Sequence, residues 1–145
     1  MFTLYFAPDT CALASHIALE HVGAQYEVMR VDFSRNEQRS ANYLRLNPKG
    51  RVPALVTDRG ILTETPAILM FICQTHPDAG LAPLEDAFAL AQMNAFNSYL
   101  CSTVHVAHAH LEIGLHREAG ELALDLVGRP PVVLIEKGHI GTHGL

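Results

Sequence analysis

Residues 2–6, "FTLYF", alternate aromatic and apolar positions and run into Pro8, the signature of a short strand closed by a helix breaker. In "CALASHIALEHVG" the pairs Leu13/Ala14, Ile17/Ala18 and His21/Val22 recur every four residues, which predicts a helix with that face inward, capped by Asp9 or Thr10 and stopped at Gly23. "QYEVMRVDF" supplies a second strand, and a parallel partner reached through a helix makes a right-handed βαβ unit. Residues 34–46 are polar with a short apolar end at Tyr43, Leu44 and Leu46, consistent with a loop and a short helix. "ALVT" and "IL" then flank Asp58-Arg59-Gly60, a loop of hairpin length. Thr65-Pro66 opens another helix, with Thr65 as N-cap and Pro66 at the first helical position, where a missing N–H costs nothing. The order is βαβ, α, ββα, an α/β arrangement.

Between the two halves lies "NPKGRVPAL", residues 47–55. Asn47-Pro48-Lys49-Gly50 fits a type I turn, since proline presets φ at the second position while Asn and Gly suit the first and last. Val52-Pro53 is less expected, because a proline at the mouth of a strand removes a ladder donor and belongs on an edge or at a break in pairing. Further on, "HPDAGLAP" has no periodicity and reads as a linker. A long helix is predicted from Glu85 to about His110, with Phe88, Gln92, Phe96, Leu100 and Val104 on one mostly apolar stripe that calls for partner helices. The predicted division is a first domain over 1–77, a linker over 78–84 and a helical region over 85–145.

Composition sharpens the class. Hydrophobic residues at 49% can fill a core, and a formal charge of -5 with no basic cluster argues against nucleic acid as a partner. No leader or spanning run is evident, so no membrane association is expected and the chain reads as cytoplasmic. Cys11, Cys73 and Cys101 are odd in number and widely spread, which suits reduced thiols. Cys73 and Cys101 fall within apolar helical patterns and are expected to be small buried hydrophobes.

Three pieces, "YFAPDTCALASHIAL", "NPKGRVPAL" and "LTETPAIL", in that order and spacing, resemble the glutathione S-transferase family, and most of all its bacterial, beta-class-like members. The resemblance covers residues 1 to about 110. It implies a thioredoxin-like first domain with a mixed four-stranded sheet, followed by a partial all-α C-terminal domain, with glutathione as substrate and a small electrophile as its co-substrate. A homodimer is a further expectation.

The resemblance also assigns roles to residues. It implies that Pro53 follows a cis bond and that the backbone of Val52 pairs with the cysteinyl backbone of glutathione. An exposed N–H and C=O there would let a peptide add itself as a short strand. Glu64 and Thr65 correspond to the grip on the γ-glutamyl end, Thr65 with its hydroxyl and N–H at a helix N-terminus facing the carboxylate and Glu64 holding the ammonium. Lys49 would reach the glycyl carboxylate. Cys11 corresponds to the cysteine beside the glutathione sulfur and opens a helix, where a thiolate is favoured. Tyr5 is the weaker catalytic candidate, and Thr10 could donate a hydrogen bond to the sulfur. His105 corresponds to a histidine facing the site. His105 and His108 share a helix face, but no cysteine or carboxylate completes a ligand set, so no metal is expected.

Each assignment has a plainer alternative: Pro53 as an edge-strand proline, Thr65 as a simple cap beside a solvated Glu64, Cys11 as a small core residue. After about His110 the sequence departs from the family, offering one short helix around 117–126, then Pro130-Pro131 and a strand-like "VVLI". The helical domain is therefore expected to be truncated or altered. Three readings stand: a glutathione or thiol transferase, a noncatalytic binding module of the same fold, and an inactive member that keeps only the glutathione-binding domain.

Overall fold

The computed structural model describes residues 1–112, with side chains through Ala109. The short helix and strand expected beyond residue 113 lie outside the described residues. The described chain falls into two compact units, Met1–Ser98 and from Tyr99 onward.

In the first unit β1 (Phe2–Phe6) leads through α1 (Ala12–His21) to β2 (Tyr26–Arg30). Two 3₁₀ turns precede α2 (Ala41–Leu46), whose N-cap Ser40 accepts a side-chain hydrogen bond from the Tyr43 N–H at 3.2 Å. The hairpin of β3 (Ala54–Thr57) and β4 (Gly60–Thr63) and then α3 (Thr65–Thr75) complete the predicted order. The strands lie in the order β2-β1-β3-β4, with β1 and β2 parallel and the other two pairs antiparallel. The fold is the expected thioredoxin-like one with a mixed four-stranded sheet.

The period-2 pattern of β1 divides the core. Leu4, directly opposite Leu55 of β3, joins Ala18 and Leu19 of α1 and Ile68 and Ile72 of α3 in one cluster. Burial of Leu4, Leu19, Leu55, Ile68 and Ile72 stabilises the unit by about 1.5–3 kcal/mol for each side chain. Tyr5 points to the other face, where its ring meets Tyr43 of α2 edge-on at 5.8 Å. A second cluster of Ala7, Ala12, Val31, Tyr43 and Val52 sits below that contact.

Several local expectations are corrected. The buried side of α1 is Ala12, Ser15, Ala18 and Leu19, while Leu13 and Ile17 are 60% and 59% exposed. Small side chains at 12, 15 and 18 let the helix lie close to β1 and α3, and that close approach turns the bulkier Leu13 and Ile17 outward. Neither Asp9 nor Thr10 is the N-cap of α1. That position is Cys11, and Thr10 Oγ1 instead accepts from the Ala12 N–H at 3.4 Å. The N-cap of α3 is Glu64 rather than Thr65, because the Glu64 carbonyl already accepts the Ile68 N–H at 3.1 Å.

The predicted long helix is divided. α4 (Ala87–Tyr99) begins after Asp86, whose carboxylate accepts from the N–H groups of Phe88 and Ala89 at 3.0 Å each. Its Phe88 is 74% exposed, and no residue of α4 is buried among the described residues. In the second unit a π-helical turn at Leu100–Val104 precedes α5 (His105–Glu112). Cys73 is buried as expected, but Cys101, on that π turn, is exposed.

Candidate functional site

The sheet register brings the proposed residues to one end. Tyr5 of β1 is opposite Ala54 of β3, and Ala54 is opposite Thr63 of β4. The chain leaving β1 toward Cys11, the chain entering β3 through Val52-Pro53 and the chain leaving β4 at Glu64 therefore all lie beyond the same edge row. Residues separated by more than fifty positions in sequence meet there because β1 and β4 end where β3 begins.

Cys11 is half-buried, and its thiol donates to the Val52 carbonyl at 3.8 Å. The Val52–Pro53 peptide bond is cis. Pairing of β3 begins at Ala54, so Val52 lies past the end of the ladder. Thr10 donates its hydroxyl hydrogen to the Ala7 carbonyl at 2.7 Å, so that hydrogen is directed at backbone. Tyr5 is half-buried against Tyr43.

Lys49 and Glu64 pair with each other at this edge, Nζ to Oε1 at 2.5 Å, with Lys49 also donating to Thr63 Oγ1 at 3.2 Å. Both side chains are about half exposed, at 51% and 56%. Glu64 adopts φ 72°, a left-handed conformation that costs a non-glycine residue about 1–3 kcal/mol and is often kept where a side chain must be aimed. Thr65 follows as the first residue of α3, with Pro66 behind it. Its N–H is therefore among those at the helix start without an intrahelical acceptor. The end of the sheet thus offers a cation, an anion, a helix N-terminus, an unladdered peptide backbone and a thiol.

Two residues that sequence reading did not single out for the site support this edge. Tyr43 Oη and Asn47 Nδ2 both donate to the Arg51 carbonyl, each at 2.7 Å, and Asn47 Oδ1 accepts from the Lys49 N–H at 3.1 Å. Asn47 is 1% exposed. The "NPKG" turn, closed by the Gly50 N–H to the Asn47 carbonyl at 2.9 Å, is the signal that could have drawn attention to Asn47. Tyr43 gave no such signal, since in sequence it is only one more apolar position of α2. Its hydroxyl is pushed up to about 12 by burial and then by the neighbouring Tyr5. Burial also raises Cys73.

His105 opens α5 in the second unit and is exposed, as is His108. Among the described residues no group of three or more His, Cys, Asp and Glu side chains gathers as a metal site would require. No helix of the described residues is long and apolar enough to cross a membrane.

The sequence profile described as "Glutathione S-transferase, N-terminal domain" matches residues 1–74. A glutathione S-transferase of Xanthomonas campestris, GST-4.5, is 38% identical over 102 residues, covering 70% of this chain and 49% of that protein. The GstA glutathione S-transferase of Escherichia coli O157:H7 is 32% identical over 104 residues, covering 70% and 52%. The chain thus spans about half the length of these two relatives. Among solved structures, a Sulfitobacter glutathione transferase homolog with bound glutathione is 45% identical at a TM-score of 0.74, covering 88% of this chain and 63% of that one. A sphingomonad glutathione S-transferase complexed with glutathione is 38% identical at 0.73, covering 86% and 64%.

Proposed function

The chain belongs to the glutathione S-transferase family, and from that premise we propose that it binds glutathione at the end of the sheet and either conjugates the glutathione thiolate to small electrophiles or exchanges thiol and disulfide through Cys11. The observation that carries this reading is the convergence of Cys11, Val52, Lys49 and Glu64 on one edge, with the Cys11 thiol against the Val52 carbonyl. The γ-glutamyl ammonium meets Glu64 and its carboxylate meets Thr65 at the start of α3. The cysteinyl backbone adds to Val52 as a short strand, and the glycyl carboxylate meets Lys49.

In conjugation the glutathione thiolate forms a bond to the electrophilic carbon, and the leaving group departs with the bonding pair. Tyr5, Thr10 and Cys11 are the side chains placed to steady that sulfur, Thr10 only after its hydroxyl turns from the Ala7 carbonyl. In exchange, the Cys11 thiolate attacks glutathione disulfide, forms the mixed disulfide and releases glutathione thiolate. Holding the two reactants together supplies most of any acceleration. His105, homodimerisation, a cytoplasmic location and a role in detoxification belong to the same proposal, as does the division at residues 77 and 85.

A second reading, a noncatalytic glutathione-binding module, is supported by one observation. Cys11, Lys49, Val52, Glu64 and Thr65 all lie in the first unit, and of the proposed residues His105 alone lies in the second. Alkylation with iodoacetamide at neutral pH, with and without S-methylglutathione, tests the common premise. Mass spectrometry should find Cys11 protected by the ligand, exposed Cys101 unaffected by it, and buried Cys73 slow throughout. Equal Cys11 rates with and without ligand would refute the site. An assay with a generic aromatic electrophile then separates the two readings.

A further inference from the structure

We infer that Tyr43 and Asn47 are positioning residues for glutathione, acting together as a clamp on the Arg51–Val52 peptide plane. The inference rests on the proposed glutathione site at Val52. Two donors from different elements, one on α2 and one in the turn that follows it, converge on a single acceptor, each at 2.7 Å. A carbonyl has two lone pairs, and here both are used by neutral donors whose own positions are fixed. Tyr43 is 5% exposed and braced by the Tyr5 ring, and Asn47 is 1% exposed with its other end held by the Lys49 N–H.

Peptide planarity gives the clamp its consequence. The Arg51 carbonyl and the Val52 N–H belong to one planar trans unit and point in opposite directions, so fixing the first aims the second. The carbonyl is drawn toward α2 and the turn, so the Val52 N–H is directed away from them, on the strand segment beyond the β3 ladder where the peptide is to add. Hydrogen bonds accepted by the carbonyl also polarise the N–H of the same unit and make it a stronger donor. The same turn carries Lys49, so Asn47 sets the Val52 edge and the Lys49 backbone together. Tyr43 links that edge to Tyr5.

The test uses the full chain with Tyr43→Phe, Asn47→Ala and the double variant. Isothermal titration gives the glutathione Kd, and amide hydrogen exchange by NMR reads Val52 alongside the core amides Leu4 and Leu55. Each single change should weaken glutathione about three- to tenfold, since the remaining donor still holds the carbonyl, and the double change by more than the product of the two. Exchange at Val52 in the complex should rise with the loss of affinity, while Leu4 and Leu55 stay protected. A purely structural role would loosen the core amides in parallel, and that result overturns the clamp. Tyr43→Phe removes one oxygen and keeps the ring, so it answers the question even where Asn47→Ala fails to fold. If the wild type binds glutathione and Tyr43→Phe binds within twofold of it with unchanged Val52 exchange, the clamp is wrong and the proposed function stands. If the wild type does not bind, both fall.

Discussion

Lys49 and Glu64 are paired with each other at 2.5 Å, yet each is assigned to a different end of the same ligand. On the proposed assignment, glutathione would exchange one internal ion pair for two external ones. The internal pair is about half exposed, so giving it up costs about 0.2–1 kcal/mol. A hydrogen bond to a charged partner contributes about 1.5–3 kcal/mol. Glu64→Gln removes the ammonium contact and also removes the pair that had to be opened, a net loss near 1.5 kcal/mol, or roughly tenfold in Kd. Stability should hardly change, because an exposed pair is worth less than about 1 kcal/mol. The sharper contrast is between ends. Titration calorimetry with glutathione and with γ-glutamylcysteine, which lacks the glycyl residue, should show Glu64→Gln weakening both equally. Lys49→Gln should weaken glutathione alone and leave γ-glutamylcysteine unchanged or up to about fivefold tighter, since Glu64 is released from its partner. Equal losses for the two ligands in Lys49→Gln would refute the assignment of Lys49 to the glycyl end.

Gly50 has φ +63°, and a Cβ there would lie 2.9 Å from the Gln38 carbonyl oxygen, so Gly50→Ala should cost at least about 2 kcal/mol by chemical denaturation and weaken glutathione through the displaced turn; an unchanged midpoint would show that the turn yields freely. Ser15 Oγ is buried without a hydrogen-bond partner among the described residues, so Ser15→Ala should raise the thermal midpoint, gaining about 1 kcal/mol, and a lowered midpoint would reveal a partner for the hydroxyl. Tyr43 is pushed up to about 12 by burial and then by Tyr5. Its unfolded value lies near 10, so the stability this represents is intact below pH 10 and is lost as pH rises toward 12; Tyr43→Phe should lessen that alkaline loss, and an unaltered decline would contradict the burial of its hydroxyl.

How far the sequence could be read depended on whether a feature is local. Strands at 2–6 and 54–63, the turn at Asn47–Gly50 and the helix after Glu64 all announce themselves through alternation, Gly and Pro, and each forms where expected. The inward face of α1 did so only in part, at Ala18 and Val22, because hydrophobicity favoured Leu13 and Ile17 while close packing selected Ala12, Ser15 and Leu19. Periodicity reports which residues are apolar, and the approach distance of helix to sheet decides which are covered. Cys101 shows that an apolar helical pattern does not by itself imply a cover: it is exposed, and so is Phe88 on the same predicted helix. At the site, individual residues were reached through resemblance, and their juxtaposition comes from the register Tyr5-Ala54-Thr63 across three strands. The Tyr43 and Asn47 contacts to one carbonyl could not be read, because nothing in a sequence indicates that two donors share an acceptor.

A glutathione site at this sheet edge is open to isothermal titration of the wild-type chain with reduced glutathione. The expected result is saturable binding at one site per chain, weakened roughly tenfold by Glu64→Gln. Absence of heat at millimolar glutathione, or binding that Glu64→Gln leaves unchanged, would contradict it.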